Sequence, residues 1–352
     1  MGFNDEDGLP LINAEHKVRI ALSERARMIM AEDMDVFHIK KPTTFINTVF
    51  RNYRGEAKSS INNYLDKKKE DLDRLFTEKH FNDKKIMSTV IDLLIQTQRQ
   101  QLLDEIMTNY NSLESNSRIY HIDIENYNYL IKDCLENEYY KRPGLYIRSV
   151  IEEYCSLPFI ERERIYKKEI YDIVTSACKN HTILKIKTEY NGKPQLFYVY
   201  PYKIVADPFH TQSYLVCYSR KPEESIKDKI LASFSMARLT KPTVLKEFIP
   251  HPKDSKKIEN ILAKHSAAYL VGKSEQIEIK LTPKGKKSYQ SRLYSRPEIQ
   301  SITSNGNYIF NCTPQQIFNY FFSFGPEAEI IRPKDLRTRF QNTYKNALTL
   351  YE

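Results

Sequence analysis

Ile183-Leu184-Lys185-Ile186-Lys187-Thr188-Glu189, Leu196-Phe197-Tyr198-Val199-Tyr200-Pro201-Tyr202 and Ser213-Tyr214-Leu215-Val216-Cys217-Tyr218 follow one another closely along the chain. In a strand, successive side chains point to opposite faces, so period-two runs split by turn residues read as consecutive antiparallel strands. Asn191-Gly192 supplies the first turn, and Phe234-Ser235-Met236-Ala237-Arg238-Leu239 closes the stretch. The pattern predicts a small β-barrel over Ile183–Leu239.

The strand–hairpin opening, the Pro201-Tyr202 pair, Tyr214-Leu215 and the closing Phe234 with Arg238-Leu239 together resemble the WYL family. The resemblance implies a five-stranded, Sm-like β-barrel that senses or binds ligands in bacterial regulators. Three positions depart from it: Ser213 stands where the family usually has Trp, Ser235 where it often has Arg, and Ala237 where Asp is common. The barrel survives these changes, and the ligand need not be the family's usual one. By the resemblance, Tyr202, Ser213, Tyr214, Arg220 and Arg238 fall at or beside the ligand-contact motifs, with Lys185, Lys187 and Lys203 nearby. Each has a plainer reading. Tyr214 and Leu215 alternate, so one of them is core; Arg238 is either a ligand contact or a salt bridge to a neighbouring element; lysines on a strand are usually its wet face.

At 352 residues the chain is long enough for two to four domains. Lys and Arg number 54 against 45 Asp and Glu, a net +9, which favours a polyanionic partner. There are 25 Tyr and 17 Phe but no Trp. Tyrosine offers a flat face and a hydroxyl, suited to nucleic acid and protein surfaces alike, although an AT-rich genome would also inflate it. Cys134, Cys155, Cys178, Cys217 and Cys312 show no CxxC spacing, which reads as free thiols in a reducing cytosol. With no long apolar run and no signal pattern at Met1-Gly2-Phe3-Asn4-Asp5, the expected location is cytoplasmic, away from membranes.

Lys17-Val18-Arg19-Ile20-Ala21-Leu22 alternates as a short strand. Ser23 then reads as an N-cap for a helix over Glu24–Phe37, and Pro42 opens a second helix through Tyr53. Strand–helix–helix in this order resembles a ribbon-helix-helix unit, in which outward strand side chains enter the DNA major groove. By match of position Lys17 and Arg19 would read bases, and Thr43 and Thr44 at the helix start would hold a phosphate.

An echo follows. Tyr120–Ile124 is strand-like and Glu125–Glu138 helical; the run from Pro143 to Tyr154 then repeats the order proline, aromatic, Ile, Val, apolar, Tyr of Pro42 to Tyr53. A lone strand leaves its backbone unpaired, so the halves 16–55 and 118–156 are expected to form an intrachain pseudo-dimer; a chance likeness of two helix starts is the alternative. His121 and Asp123 would replace Lys17 and Arg19 on the second strand. Helices Ser59–Glu78 and Lys84–Tyr110 lie between the halves, and Arg162–Cys178 reads as one charged helix.

The expected organisation is α+β and multidomain: a helical, ribbon-helix-helix-like region 1–180, a barrel 181–250, a linker helix 251–273 and a C-terminal part 274–352. The C-terminal order of strands and helices resembles the split βαβ (ferredoxin-like) extension that often follows WYL barrels, including Phe322-Ser323-Phe324-Gly325 and Arg332-Pro333. The resemblance implies dimer contact or ligand-site closure there.

Catalytic motifs are absent: no glycine-rich phosphate loop among only 9 Gly, no HExxH, no GxSxG. His181 and His210 read as surface histidines, and no cofactor or metal is expected. Cations beside stackable rings suit single-stranded nucleic acid, with bases on aromatic faces and phosphates on Lys or Arg. The whole architecture resembles the accessory WYL proteins of type VI-D CRISPR systems, which implies a homodimer that binds RNA and stimulates an RNA-guided CRISPR nuclease in antiviral defence. The alternatives are a ligand-responsive, DNA-binding transcriptional regulator and a protein-interaction scaffold.

Overall fold

A computed structural model of the chain describes residues 16–79, 83–111, 117–136, 143–190, 193–207, 212–264, 267, 274–293 and 296–351. The turn at Asn191-Gly192, His210 and the leader before His16 lie outside them. The fold is mixed α and β, with twelve α-helices among the described residues, and it divides into two compact units, Met1–Lys168 and Glu169–Glu352.

The first unit is built on a two-stranded ribbon. β1 (Lys17–Ala21) pairs antiparallel with β2 (Ser117–His121), so that Arg19 faces Ile119 and Lys17 faces His121. Val18, Ile20 and Tyr120 turn inward and are buried, while Lys17, Arg19, Ile119 and His121 are exposed. β2 therefore starts earlier than Tyr120, and Asp123 lies beyond it. The physical reason is that Asp123 is needed as a cap: its carboxylate accepts the N–H of Asn126 at 2.9 Å, opening α5 (Ile124–Glu136). Its counterpart Ser23 caps α1 (Glu24–Val36) by accepting from the Ala26 N–H at 3.0 Å.

α2 (Pro42–Tyr53) and α6 (Pro143–Ser156) are the repeated helices, and their matching positions form the core. Phe45, Ile46, Val49 and Phe50 are buried in one, and Tyr146, Ile147, Val150 and Ile151 in the other. At about 1.5–3 kcal/mol for each large apolar side chain, this stripe is the main source of the unit's stability. Two helices inserted between the halves, α3 (Ile61–Glu78) and α4 (Lys84–Asn111), run antiparallel, as the contacts Lys69–Asp92 at 2.8 Å and Arg99–Asn62 at 2.9 Å require. Arg162–Cys178 is two helices rather than one, α7 (Phe159–Tyr166) and α8 (Lys168–Asn180), because the N–H of Lys167 closes onto Glu163 and Ile165 carbonyls and ends the first. Arg162, on α7, reaches Asp33 of α1, where its guanidinium makes two bonds of 2.8 and 2.9 Å inside the core.

In the second unit, β3 (Thr182–Tyr190), β4 (Lys193–Ala206), β5 (Ser213–Arg220), β6 (Ile230–Ser235) and β7 (Thr240–Glu247) form one antiparallel sheet in the order β6-β5-β4-β3-β7. The sheet is not closed into the expected barrel: β6 and β7 remain its two edges. A one-turn 3-10 helix, Met236–Arg238, joins them, and Met236 with Leu239 beside it is fully buried in the core that β3, β4 and β5 share with α8. One face packs Leu184, Ile186, Val199, Leu215 and Cys217 onto Val174 and Ala177 of α8. The other face lays Tyr214 and Val216 under Ile258 of α9 (Pro252–Lys264). Tyr214 and Leu215 are consequently both buried, on opposite faces, because helices cover both sides.

A four-stranded antiparallel sheet follows, with β8 (Glu275–Leu281), β9 (Ile299–Ile302), β10 (Tyr308–Cys312) and β11 (Ala328–Arg332) in the order β11-β8-β10-β9. α10 (Pro283–Ser291), α11 (Pro314–Phe321) and α12 (Lys334–Leu348) share its aromatic core of Tyr289, Phe310, Phe321, Phe324 and Phe340. Thr282 and Thr313 cap the first two by accepting from Gly285 at 3.1 Å and Gln316 at 3.2 Å.

Candidate nucleic-acid interface

Strand register gathers side chains that are distant in sequence. Lys185 pairs with Tyr198, and Tyr198 with Arg220, so one row crosses β3, β4 and β5. Tyr200 pairs with Tyr218 in the next same-face row. The Arg220 guanidinium lies 4.8 Å from the centre of the Tyr198 ring. Lys229, from the loop before β6, sits 5.3 Å from Tyr200 and 5.1 Å from Tyr218. Negative ring faces attract cations at these distances, so the tyrosines hold the positive charge in place. Burial, with the nearby Asp254 carboxylate adding to it, pushes the Tyr218 hydroxyl above its ordinary pKa, and Tyr218 stays neutral.

None of Lys185, Lys187, Arg220 or Lys229 has a carboxylate partner among the described residues. Three of Arg220's contacts are backbone carbonyls of its own loop, the shortest to Glu224 at 2.8 Å. Tyr200 is itself buried and serves to seat Lys229, so the half-buried rings of Tyr198 and Tyr218 with the uncompensated cations are what can take a polyanion with planar groups: phosphate oxygens on the amines, bases against ring faces.

The residues expected from sequence divide here. Lys185 and Arg220 belong to the row, and exposed Lys187 lies on the same face of β3. Tyr202 and Lys203 lie further along β4 at a bulge, since Pro201 pairs with Cys217 and Lys203 with Val216, leaving Tyr202 without a partner on β5. Both side chains close on Glu259 of α9: the Tyr202 hydroxyl donates at 2.6 Å, and the Lys203 amine at 2.8 and 2.9 Å. The Lys203 and Tyr202 bonds hold the Glu259 carboxyl below the usual range, and the same contact raises the Tyr202 pKa.

Ser213 and Tyr214 are buried and cannot meet a ligand directly. Arg238 is exposed on the 3-10 turn, at the end of β6 remote from Arg220, because Ser235 pairs with Tyr214 and Ile230 with Ser219. Lys17 and Arg19 stand on the exposed face of the ribbon in the first unit. Thr43 and Thr44 open α2, which no side chain caps. Sequence reading missed Tyr198, Tyr200, Tyr218 and Lys229. The alternation Tyr198-Val199-Tyr200 did place two rings on one face, but Lys229 sits in a loop that carries no periodic signal.

Among the described residues no His, Cys, Asp and Glu side chains gather as a metal site would require. No helix there is long and apolar enough to cross a membrane. Cys155, Cys178, Cys217 and Cys312 are free thiols.

No protein-family model matches the chain, and no curated protein does. Solved structures do. A proteasome accessory factor B/C (PafBC) of Arthrobacter aurescens aligns over 67% of this chain and 37% of its own, at 11% identity and a TM-score of 0.31, too low to carry an argument. A crystal structure described as a CRISPR Cas-related protein aligns over 100% of this chain and 97% of its own, with a TM-score of 0.67 at 18% identity, so the two share a fold along their whole length.

Proposed function

We propose that this chain is a non-catalytic accessory protein that binds single-stranded RNA on the second unit's sheet and raises the activity of a type VI-D CRISPR RNA-guided RNA nuclease. The observation that carries the reading is the stripe of Lys185, Tyr198, Arg220, Tyr200, Tyr218 and Lys229, in which the cations rest on rings rather than on carboxylates. The full-length likeness to a CRISPR Cas-related protein supports the choice of partner. In this reading the first unit is an intrachain ribbon-helix-helix, the five-stranded sheet a WYL-type module, and the C-terminal sheet a ferredoxin-like extension through which two copies pair.

Anisotropy titrations of a labelled single-stranded RNA at several salt concentrations test it. Each lost phosphate contact lowers the slope of log affinity against log salt by about 0.7 for a single strand. Lys229→Ala and Lys185→Ala are each expected to lower it by that amount. Added to the RNA-guided nuclease, the wild-type chain is expected to raise target cleavage and the double variant to do so less. Unchanged slopes in both variants would overturn the assignment of the site.

The exposed pair Lys17 and Arg19 on the antiparallel ribbon favours one other reading, a duplex-DNA-binding regulator. If the chain binds a duplex of defined sequence more tightly than RNA, and Lys17→Ala with Arg19→Ala abolishes this, the regulator reading replaces the first.

A further inference from the structure

Glu259 of α9 accepts from both Tyr202 and Lys203 at the end of the tyrosine stripe. The tyrosine stripe of β4 continues from Tyr198 and Tyr200 to Tyr202, and the bulge there turns Tyr202 and Lys203 to the same acceptor. A hydroxyl and an ammonium converging on one point make a compact anion site. Its present occupant is an internal carboxylate, held by three charge-assisted bonds of 2.6, 2.8 and 2.9 Å, although Glu259 itself is half exposed. Lys203 is thus neutralised from α9 while Lys185 and Arg220 on the same sheet, and Lys229 in the loop before β6, have no carboxylate partner among the described residues. The carboxylate is carried by a helix that also covers Tyr214 and Val216 with Ile258.

We infer that Tyr202 and Lys203 form a second phosphate subsite, continuous with the stripe, which α9 occupies with the Glu259 carboxylate, so that α9 docking and a nucleic-acid phosphate compete for it. This rests on the proposed function for the identity of the ligand. A ligand that must displace a competitor binds more weakly by the fraction of molecules in which the site is open. Removing the carboxylate therefore tightens binding, and the gain passes through Lys203.

The test is a two-by-two set in the full-length chain, Glu259→Gln, Lys203→Ala and the double variant beside wild type, titrated with a labelled single-stranded oligouridine. Glu259→Gln keeps the side chain's shape and leaves Ile258 in place, and circular dichroism of each variant checks that it folds. Glu259→Gln is expected to tighten binding by about two- to fivefold, the range that an exposed ion pair supports. In the Lys203→Ala background the same change is expected to do nothing. Deuterium exchange adds a second readout: oligouridine is expected to raise exchange in Pro252–Lys264 of the wild type. An unchanged affinity for Glu259→Gln overturns the inference, and so does an equal gain with and without Lys203, which would mark a general charge effect. If Lys185→Ala and Lys229→Ala are silent while Glu259→Gln tightens binding through Lys203, the stripe assignment fails and this subsite stands. An oligonucleotide that binds no variant sinks both.

Discussion

The backbone N–H and the hydroxyl of Ser23 both donate to the Glu152 carboxylate, at 2.6 and 2.7 Å, joining the start of α1 to the end of α6. The other half of the unit makes the corresponding link with the carboxylate on the cap instead: Arg51 of α2 meets Asp123, the cap of α5, at 3.3 Å. Each half thus fastens the other half's first helix. Glu152→Ala strands two donors of a partly buried cap, and losing such bonds costs about 1–3 kcal/mol. Arg51→Ala removes a pair that is more than a third exposed, and the expected loss is below about 1 kcal/mol. Urea unfolding followed by far-ultraviolet circular dichroism separates the two.

Gly144 is required by the ribbon itself. A Cβ built on it would lie 2.2 Å from the Arg19 carbonyl oxygen of β1, a backbone atom that cannot swing aside. The matching residue of α2 is Thr43, so the two halves are not interchangeable at this point. Gly144→Ala is expected to push β1 off the helix start and destabilise the unit by about 1–3 kcal/mol. The same assay reads it, with Thr43→Ala as the tolerated comparison.

Asp33, Arg162 and Tyr154 form a closed polar cluster inside the first unit, with the Tyr154 hydroxyl donating to Asp33 at 2.8 Å beside the two guanidinium bonds. Removing one partner of a buried pair leaves an uncompensated charge and costs about 3–5 kcal/mol. Arg162→Met is therefore expected to be severely destabilising, and adding Asp33→Leu to recover part of the loss. If the double variant is no more stable than the single one, the cluster does more than balance charge.

The repeat of Pro42 to Tyr53 in Pro143 to Tyr154 was legible because both helices bury the same face, and burial is what apolar spacing records. Strand alternation likewise disclosed β3, β4 and β5. Closure of the sheet was not legible: whether β6 pairs with β7 is a matter of long-range register, and a period-two pattern reads the same on a closed and an open sheet. Tyr202 and Lys203 read as ligand contacts from sequence, and nothing local reveals that Glu259, 57 and 56 residues further on, already holds them. Register assembled the rest of the site, bringing Arg220 of β5 onto Tyr198 of β4.

Alkaline pH should weaken both units. Burial pushes the Cys155 thiol up to about 12, and the Cys312 thiol likewise to about 12. Above pH 9 the unfolded chain loses these protons while the folded chain keeps them, so stability is intact below the unfolded value and falls as pH rises toward 12. The slope is about 1.4 kcal/mol per pH unit for each thiol. Thermal melts from pH 8 to pH 10.5 are expected to show the decline, and Cys155→Ala to shrink it for the first unit alone. Both thiols should also resist iodoacetamide at pH 8 until denaturant is added.

Tyr198 distinguishes stacking from hydrogen bonding at the proposed RNA site. Its ring lies under Arg220 and beside Lys185, half-buried on the stripe. A base held by the ring face needs the aromatic surface and not the hydroxyl, and such stacking contributes about 1–3 kcal/mol per base. Tyr198→Phe is expected to bind single-stranded RNA like wild type, while Tyr198→Ala weakens it by about 5- to 150-fold, the same energy expressed as a ratio. Neither change removes a charge, so the salt dependence should stay that of the wild type in both variants. Equal losses in Phe and Ala would assign the contact to the hydroxyl, and a changed salt slope would show that the ring acts by positioning Arg220 against a phosphate.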